Sequence, residues 1–151
     1  MRKVLFMKGS ELRLIEYMEG SKKRFIIPVY YDWKIENCKQ LYDDLIQVIK
    51  NNSKTHFFGS IVSVYEPSGR NTEFLIIDGQ QRLTTMSLLF LAMYNLLEEK
   101  IIISEDESLK DQIYEDFLVD KYQPQEKRMK LKPIKNDQKA FSKLFNSKDD
   151  Y

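Results

Sequence analysis

Residues 73–90, EFLIIDGQQRLTTMSLLF, constrain the fold more than any other stretch, because an apolar run suited to a strand becomes a helical repeat within a few residues. Phe74–Ile77 has the aromatic and β-branched character of a buried strand. From Gly79 to about Lys100, the positions Leu83, Met86, Leu89, Phe90, Met93, Leu96 and Leu97 fall at three-and-four spacing, which predicts a long amphipathic helix with a broad buried face. A strand that feeds directly into such a helix calls for a sheet packed on helices. Between the two lies Asp-Gly-Gln-Gln-Arg. Asp78 at the N-cap with Gln81 three residues later has the spacing of a capping box. Capping accounts for Asp78 and tolerates Gly79, but leaves Gln80, Gln81 and Arg82 more polar than a helix start requires.

The flanking sequence fills in an α+β domain, a small mixed sheet packed against helices. Ser10 is placed to cap a short helix ending at Gly20. A brief strand follows in RFIIPVYYDW; Pro28, with no N–H to donate, puts it at a sheet edge or ends it there. Cys38, Leu41, Leu45, Val48 and Ile49 lie at helical spacing, with Asn51-Asn52 as the stop. HFFGSIVSVYE and TEFLIID read as a hairpin joined by PSGRN. Ser104 and Glu107 suit a capping box before a helix in LKDQIYEDFLVD. KRMKLKPI then alternates basic and apolar residues like a half-exposed strand, and DQKAFSKLF restarts a helix. The expected division is a domain over 1–120 and a basic strand-helix segment over 121–151, the partial helical opening of a further region of a longer protein.

At 151 residues, 42% hydrophobic and 31% charged, the chain has material for one core and a charged surface. A net charge of +1 argues against indiscriminate polyanion binding by the whole chain. Local basic surplus is another matter, since Lys121–Lys143 holds eight Lys or Arg against two acidic residues. Lys130, Lys132 and Lys135 are therefore candidate DNA-phosphate contacts, with a solvated strand and helix face as the plainer reading. Cys38, the single cysteine, excludes an intramolecular disulfide and a cysteine zinc site, and fits a reducing, cytoplasmic setting. No apolar run approaches the roughly 18 residues of a membrane span.

The surplus polarity at residues 80–82 has a chemical reading. A helix N-terminus offers unpaired N–H groups and the positive end of its dipole to an anion, glycine permits close approach, and Arg82 adds a fixed charge suited to phosphate. The Asp78 carboxylate competes for those amides unless it turns toward a metal ion or a ribose hydroxyl. Paired glutamines suit a nucleobase or a water, and Thr84 and Thr85 add hydroxyls one turn on. Tyr30, Tyr31 and Trp33 suit base stacking or edge-strand packing, and the lone His56 suits a nucleotide contact or a structural bond.

IIDGQQRLTTMSLL resembles the DGQQR signature of the GmrSD-type restriction system N-terminal domain family, which is grouped with ParB and sulfiredoxin-like folds. FIIPVYYDW is similar to that family's Ile-Pro-x-Tyr-Gln-Arg-x-Tyr-x-Trp element, HFFGSIV to its His-Phe-hydrophobic-Gly-Ser/Thr-Ile-Val strand, and MKLKPIKNDQKAFSKLF to the segment that follows. The likeness spans about residues 20–145. It implies a ParB/sulfiredoxin-like core, and a nucleotide-binding, NTP-hydrolysing domain of a bacterial phage-defence protein. The nucleotide would be GTP, UTP or CTP with Mg²⁺. The partners would be DNA, through the parent protein, and a C-terminal nuclease domain or subunit. Mapped onto this chain, Asp78 assists a metal or water, Gly79 admits phosphate, Gln80 and Gln81 position the nucleotide or attacking water, and Arg82 binds phosphate oxygens. Thr85, Tyr30 and His56 complete the nucleotide set. One departure stands out: Tyr30 runs directly into Tyr31, without the three residues, Gln-Arg and one more, that separate the tyrosines in the family pattern. A DNA-binding or regulatory module without hydrolysis, and a direct nuclease, are the competing expectations.

Overall fold

The computed structural model describes residues 13–52, 59–69, 71–124 and 128–146. In chain order these form α1 (Leu14–Met18), β1 (Lys23–Ile26), α2 (Ile35–Lys50), β2 (Val62–Ser68), β3 (Asn71–Asp78), α3 (Gln80–Glu98), α4 (Leu109–Ile113) running into a π-helical turn at Tyr114–Leu118, β4 (Leu131–Lys132) and α5 (Lys135–Asn146). The strands make one mixed sheet in the order β2-β3-β1-β4. β2 and β3 are the expected antiparallel hairpin, while β1 runs parallel to both β3 and β4. The class is α+β.

Strand β1 is an interior strand that ends before Pro28, so the proline's missing N–H interrupts no ladder. Its Phe25 sits opposite Phe74 of β3, and the rings stack with centroids 5.3 Å apart. Tyr17 of α1 meets the pair edge-on to Phe74 and donates its hydroxyl to Ser63 Oγ at 3.0 Å. Phe25, Ile76 and Met18 are fully buried, and Leu83, Leu91, Ile113, Phe117, Leu118, Leu131 and Phe141 continue the same core. Each such side chain contributes about 1.5–3 kcal/mol by leaving water. On the next element, Phe117 of the π-helical turn stacks on Phe90 of α3 at 3.8 Å.

An expectation about the chain's last third changes, and the segment after residue 120 shares the sheet and core of the earlier elements. β4 completes the sheet beside β1, with Phe25 N–H donating to Lys130 O and Ile27 N–H to Lys132 O, and Leu131 and Phe141 belong to the common core. The alternation in KRMKLKPI also breaks. Met129 bridges antiparallel to Val119, whereas Leu131 pairs parallel with Phe25, and this change of partner turns Lys130 inward. Lys130 is 1% exposed, its ammonium donating to Met18 O and Asp116 O at 2.8 Å each. It is an internal tie between α1 and the π-helical turn and has no face for DNA phosphate. Farther upstream, α4 starts after Ser108, so the capping box expected from Ser104 and Glu107 does not open it. Ser104 instead accepts from Asp106 N–H.

Burial pushes the Lys130 ammonium down to about 8 from 10.5. Within that window the unfolded chain holds a proton that the folded chain has released, so stability rises with pH there and is indifferent to this group below it. Relative to a Lys130→Met variant, the native chain's unfolding free energy should climb by up to about 1.4 kcal/mol per pH unit across the window. Denaturant titrations at several pH values measure this, and a flat difference would contradict it.

Candidate functional site at the start of helix α3

Strand β3 ends at Asp78, helix α3 begins at Gln80, and the single residue between them, Gly79, is left-handed with φ of +84°. A Cβ at Gly79 would lie 2.9 Å from Ser60 O and 3.2 Å from Ile61 Cγ1. Glycine is thus required both by backbone angle and by space. This turn corrects the capping expectation. Gly79, not Asp78, is the N-cap, and no side chain caps the helix. Asp78 instead pairs with Val62 in the hairpin, and its exposed carboxylate has no partner among the described residues. The first-turn amides of a 19-residue helix are therefore left without a competing carboxylate.

The three polar residues after the glycine each fasten something. Gln80 Nε2 donates back to the carbonyls of Ile76 and Ile77, bracing the strand end. Gln81 uses both ends of its amide on the loop after β1: Nε2 donates to Tyr30 O at 2.9 Å, and Oε1 accepts from Asp32 N–H at 3.1 Å. With one donor and one acceptor engaged, Gln81 holds a loop and keeps one N–H and one lone pair unspent in these two bonds. Arg82 Nη2 donates to Ser60 O at 2.6 Å. Its guanidinium lies over Gly59, φ +104°, where a Cβ would be 2.9 Å from Cζ. Arg82 Nε is buried without a hydrogen-bond partner, and no carboxylate neutralises the group among the described residues.

A second set of bonds ties the same loop to the helix one turn on. Thr85, 9% exposed, donates its hydroxyl to Gln81 O at 2.7 Å, so it can only accept from Tyr31 Oη at 2.9 Å. Tyr31 oxygen is then left to accept from the Cys38 thiol at 3.1 Å. The proton order is Cys38 to Tyr31 to Thr85 to the Gln81 carbonyl. Burial, reinforced by the Cys38 bond, pushes the Tyr31 phenol up to about 12, so its hydroxyl stays protonated at neutral pH. An open, mainly apolar groove of about 360 Å³ lies alongside, lined by Tyr31, Cys38, Leu41, Tyr42, Thr85 and Leu88.

Of the residues expected here, Asp78, Gly79, Gln80, Gln81 and Arg82 converge on the junction, and Tyr30, 58% exposed, stands on the loop that Gln81 holds. Thr85 and Thr84 spend their hydroxyls on helix carbonyls. His56 lies outside the described residues. Lys132 and Lys135 are exposed on β4 and α5, while Lys130 is buried. The described residues include no group of three or more His, Cys, Asp or Glu placed to hold a metal ion. Nor does any described helix have the length and apolarity to cross a membrane. Sequence reasoning missed Ser60, Gly59 and Asp32 at the junction, and Asp137, whose Oδ2 accepts from Tyr31 N–H on the loop beside it. Only Gly59, a glycine inside an apparent strand, carried a signal.

Gly79→Ala should lower stability by about 1–3 kcal/mol, because it combines left-handed strain with the Ser60 clash. Denaturant midpoints give the value, and an unchanged midpoint would refute the stated geometry. Gln81→Ala should release the Asp32 amide, with faster hydrogen exchange there equivalent to about 0.5–1.5 kcal/mol. Protection retained at Asp32 would show that Gln81 does not hold the loop.

No curated protein matches this chain by sequence. The family described as GmrSD restriction endonuclease, N-terminal domain, matches residues 14–151, which takes in every described element and the whole β3–α3 junction. The chain belongs to the GmrSD restriction endonuclease N-terminal domain family.

Proposed function

We propose that this domain binds a nucleoside triphosphate at the β3–α3 junction and hydrolyses it in the service of a DNA restriction protein. The observation that carries the reading is the uncapped start of α3: Gly79 supplies no side chain, and Asp78 leaves the first-turn amides free. Those amides and the helix dipole favour a phosphate, and Arg82, with no carboxylate partner among the described residues, adds a fixed positive charge beside them. The Arg82 bond to Ser60 fixes that charge in place before any ligand arrives.

A Mg²⁺ ion fits this donor set only as the companion of a nucleotide. Such ions commonly take one or two protein carboxylates and complete their shell with phosphate oxygens and water. Asp78 supplies one exposed carboxylate at the junction. When bound, the ion would neutralise phosphate charge. The chain's own part is to hold the phosphates on the α3 amides and to accept a hydrogen bond from a water at Asp78. Tyr30, exposed on the loop that Gln81 holds, offers a ring face to a base.

Titration of the chain with each of the four NTPs and Mg²⁺ tests this directly. At least one should bind saturably. Arg82→Ala should weaken it by about tenfold or more, near 1.4 kcal/mol. Asp78→Asn should depress hydrolysis more than binding. If none of the four binds, and Arg82→Ala leaves an active parent protein unchanged, the reading is wrong.

A further inference from the structure

Helix α5 reaches the loop beside the junction through one bond, in which Tyr31 N–H donates to Asp137 Oδ2 at 2.7 Å across 106 residues of sequence. The peptide between Tyr30 and Tyr31 is therefore gripped on both sides, its carbonyl by Gln81 and its N–H by Asp137, while Gln81 also takes the next N–H at Asp32. Residues 30–34 belong to no strand or helix, so side chains from other elements decide where this backbone lies. Gln81 comes from the junction itself. Asp137 comes from the opposite end of the chain, on a helix anchored in the core by Phe141, which is 5% exposed.

We propose that Asp137 is a positioning residue that couples α5 to the Tyr30–Asp32 loop and so sets how that loop meets a nucleotide at the β3–α3 junction. The inference rests on the nucleotide reading above for its ligand, but the mechanical link stands on geometry alone. A carboxylate acceptor makes a stronger bond than a neutral one and sits here in the first turn of α5, where its charge also suits the helix dipole. Loss of the acceptor and loss of the charge are therefore separable by substitution. Displacement of α5 by any part of a larger restriction protein would reach the loop by this route.

The chain's single cysteine supplies an internal reporter, because Cys38 Sγ contacts the Tyr31 hydroxyl on the same loop. In the 151-residue chain, Asp137→Ala should raise the rate of Cys38 labelling by a chromogenic disulfide by about three- to tenfold, the range of one net hydrogen bond. Asp137→Asn keeps an acceptor oxygen but loses the charge, and should label at a rate between those of the native and Ala chains. Binding of Mg²⁺ with an NTP should weaken by a similar factor in the Ala variant and by less in the Asn variant. Equal labelling of native and Ala chains would overturn the link whatever the nucleotide result. Faster labelling together with no nucleotide binding by the native chain would keep the link and overturn its use for a nucleotide. Should Asp137→Ala fail to fold, hydrogen exchange at the Tyr31 amide of the native chain decides. That amide should be protected, and exchange at the rate of an unbonded loop amide would sink the link.

Discussion

The left-handed turn at Gly79, pressed against the Ser60 carbonyl, is the constraint around which the junction is arranged. It lets a half-buried strand pass into a long helix without a connecting loop, and in doing so it carries Asp78 off the helix end. An L-residue there would meet the Ser60 oxygen before it met any solvent. Once the turn is made, Arg82 falls beneath the chain segment that enters β2 and can hold Ser60. Gln81, one residue earlier and about 100° round the helix, can hold the loop leaving β1. Two loops distant in sequence are thus indexed to the first turn of one helix. A rigid base of this kind is what anion recognition by backbone amides needs, since the amides gain nothing from a ligand that must first order them.

Much of the architecture was legible because its signals are local. The hairpin announced itself through aromatic and β-branched runs on either side of a turn, and α2 and α3 through three-and-four spacing. What escaped depends on partners. The capping box at Asp78 and Gln81 has the right spacing, yet spacing is silent about a backbone angle that glycine alone allows. Lys130 looked exposed because an alternating pattern assumes one unbroken partner strand, and here the partner changes from Val119 to Phe25 at that residue. The strand expected from His56 onward begins, among the described residues, only at Val62, since Gly59 is left-handed.

The candidate site divides the same way. DGQQR marked the junction, and the polarity beyond the needs of a helix cap belongs to side chains that fasten it. The jobs of the side chains were not legible, because Gln81 and Arg82 bond to backbone atoms, and a carbonyl at Tyr30 or Ser60 has no letter in the sequence. Asp137 was hidden more deeply, being one acidic residue in a basic stretch whose acceptor role exists only after the sheet closes.

The interior place of β1 has a consequence for the order in which the molecule is built. It is the earliest strand among the described residues, yet its neighbours are β3 on one side and β4 on the other, and Lys130 must cross 112 residues to reach Met18. A ribosome that has released Phe25 must still deliver α2, α3 and α4 before that strand's last amides find acceptors. Contacts so far apart in sequence are entropically late. The middle of the sheet is therefore the first part synthesised and the last part finished, and a chain cut before β4 leaves its own centre as an open edge.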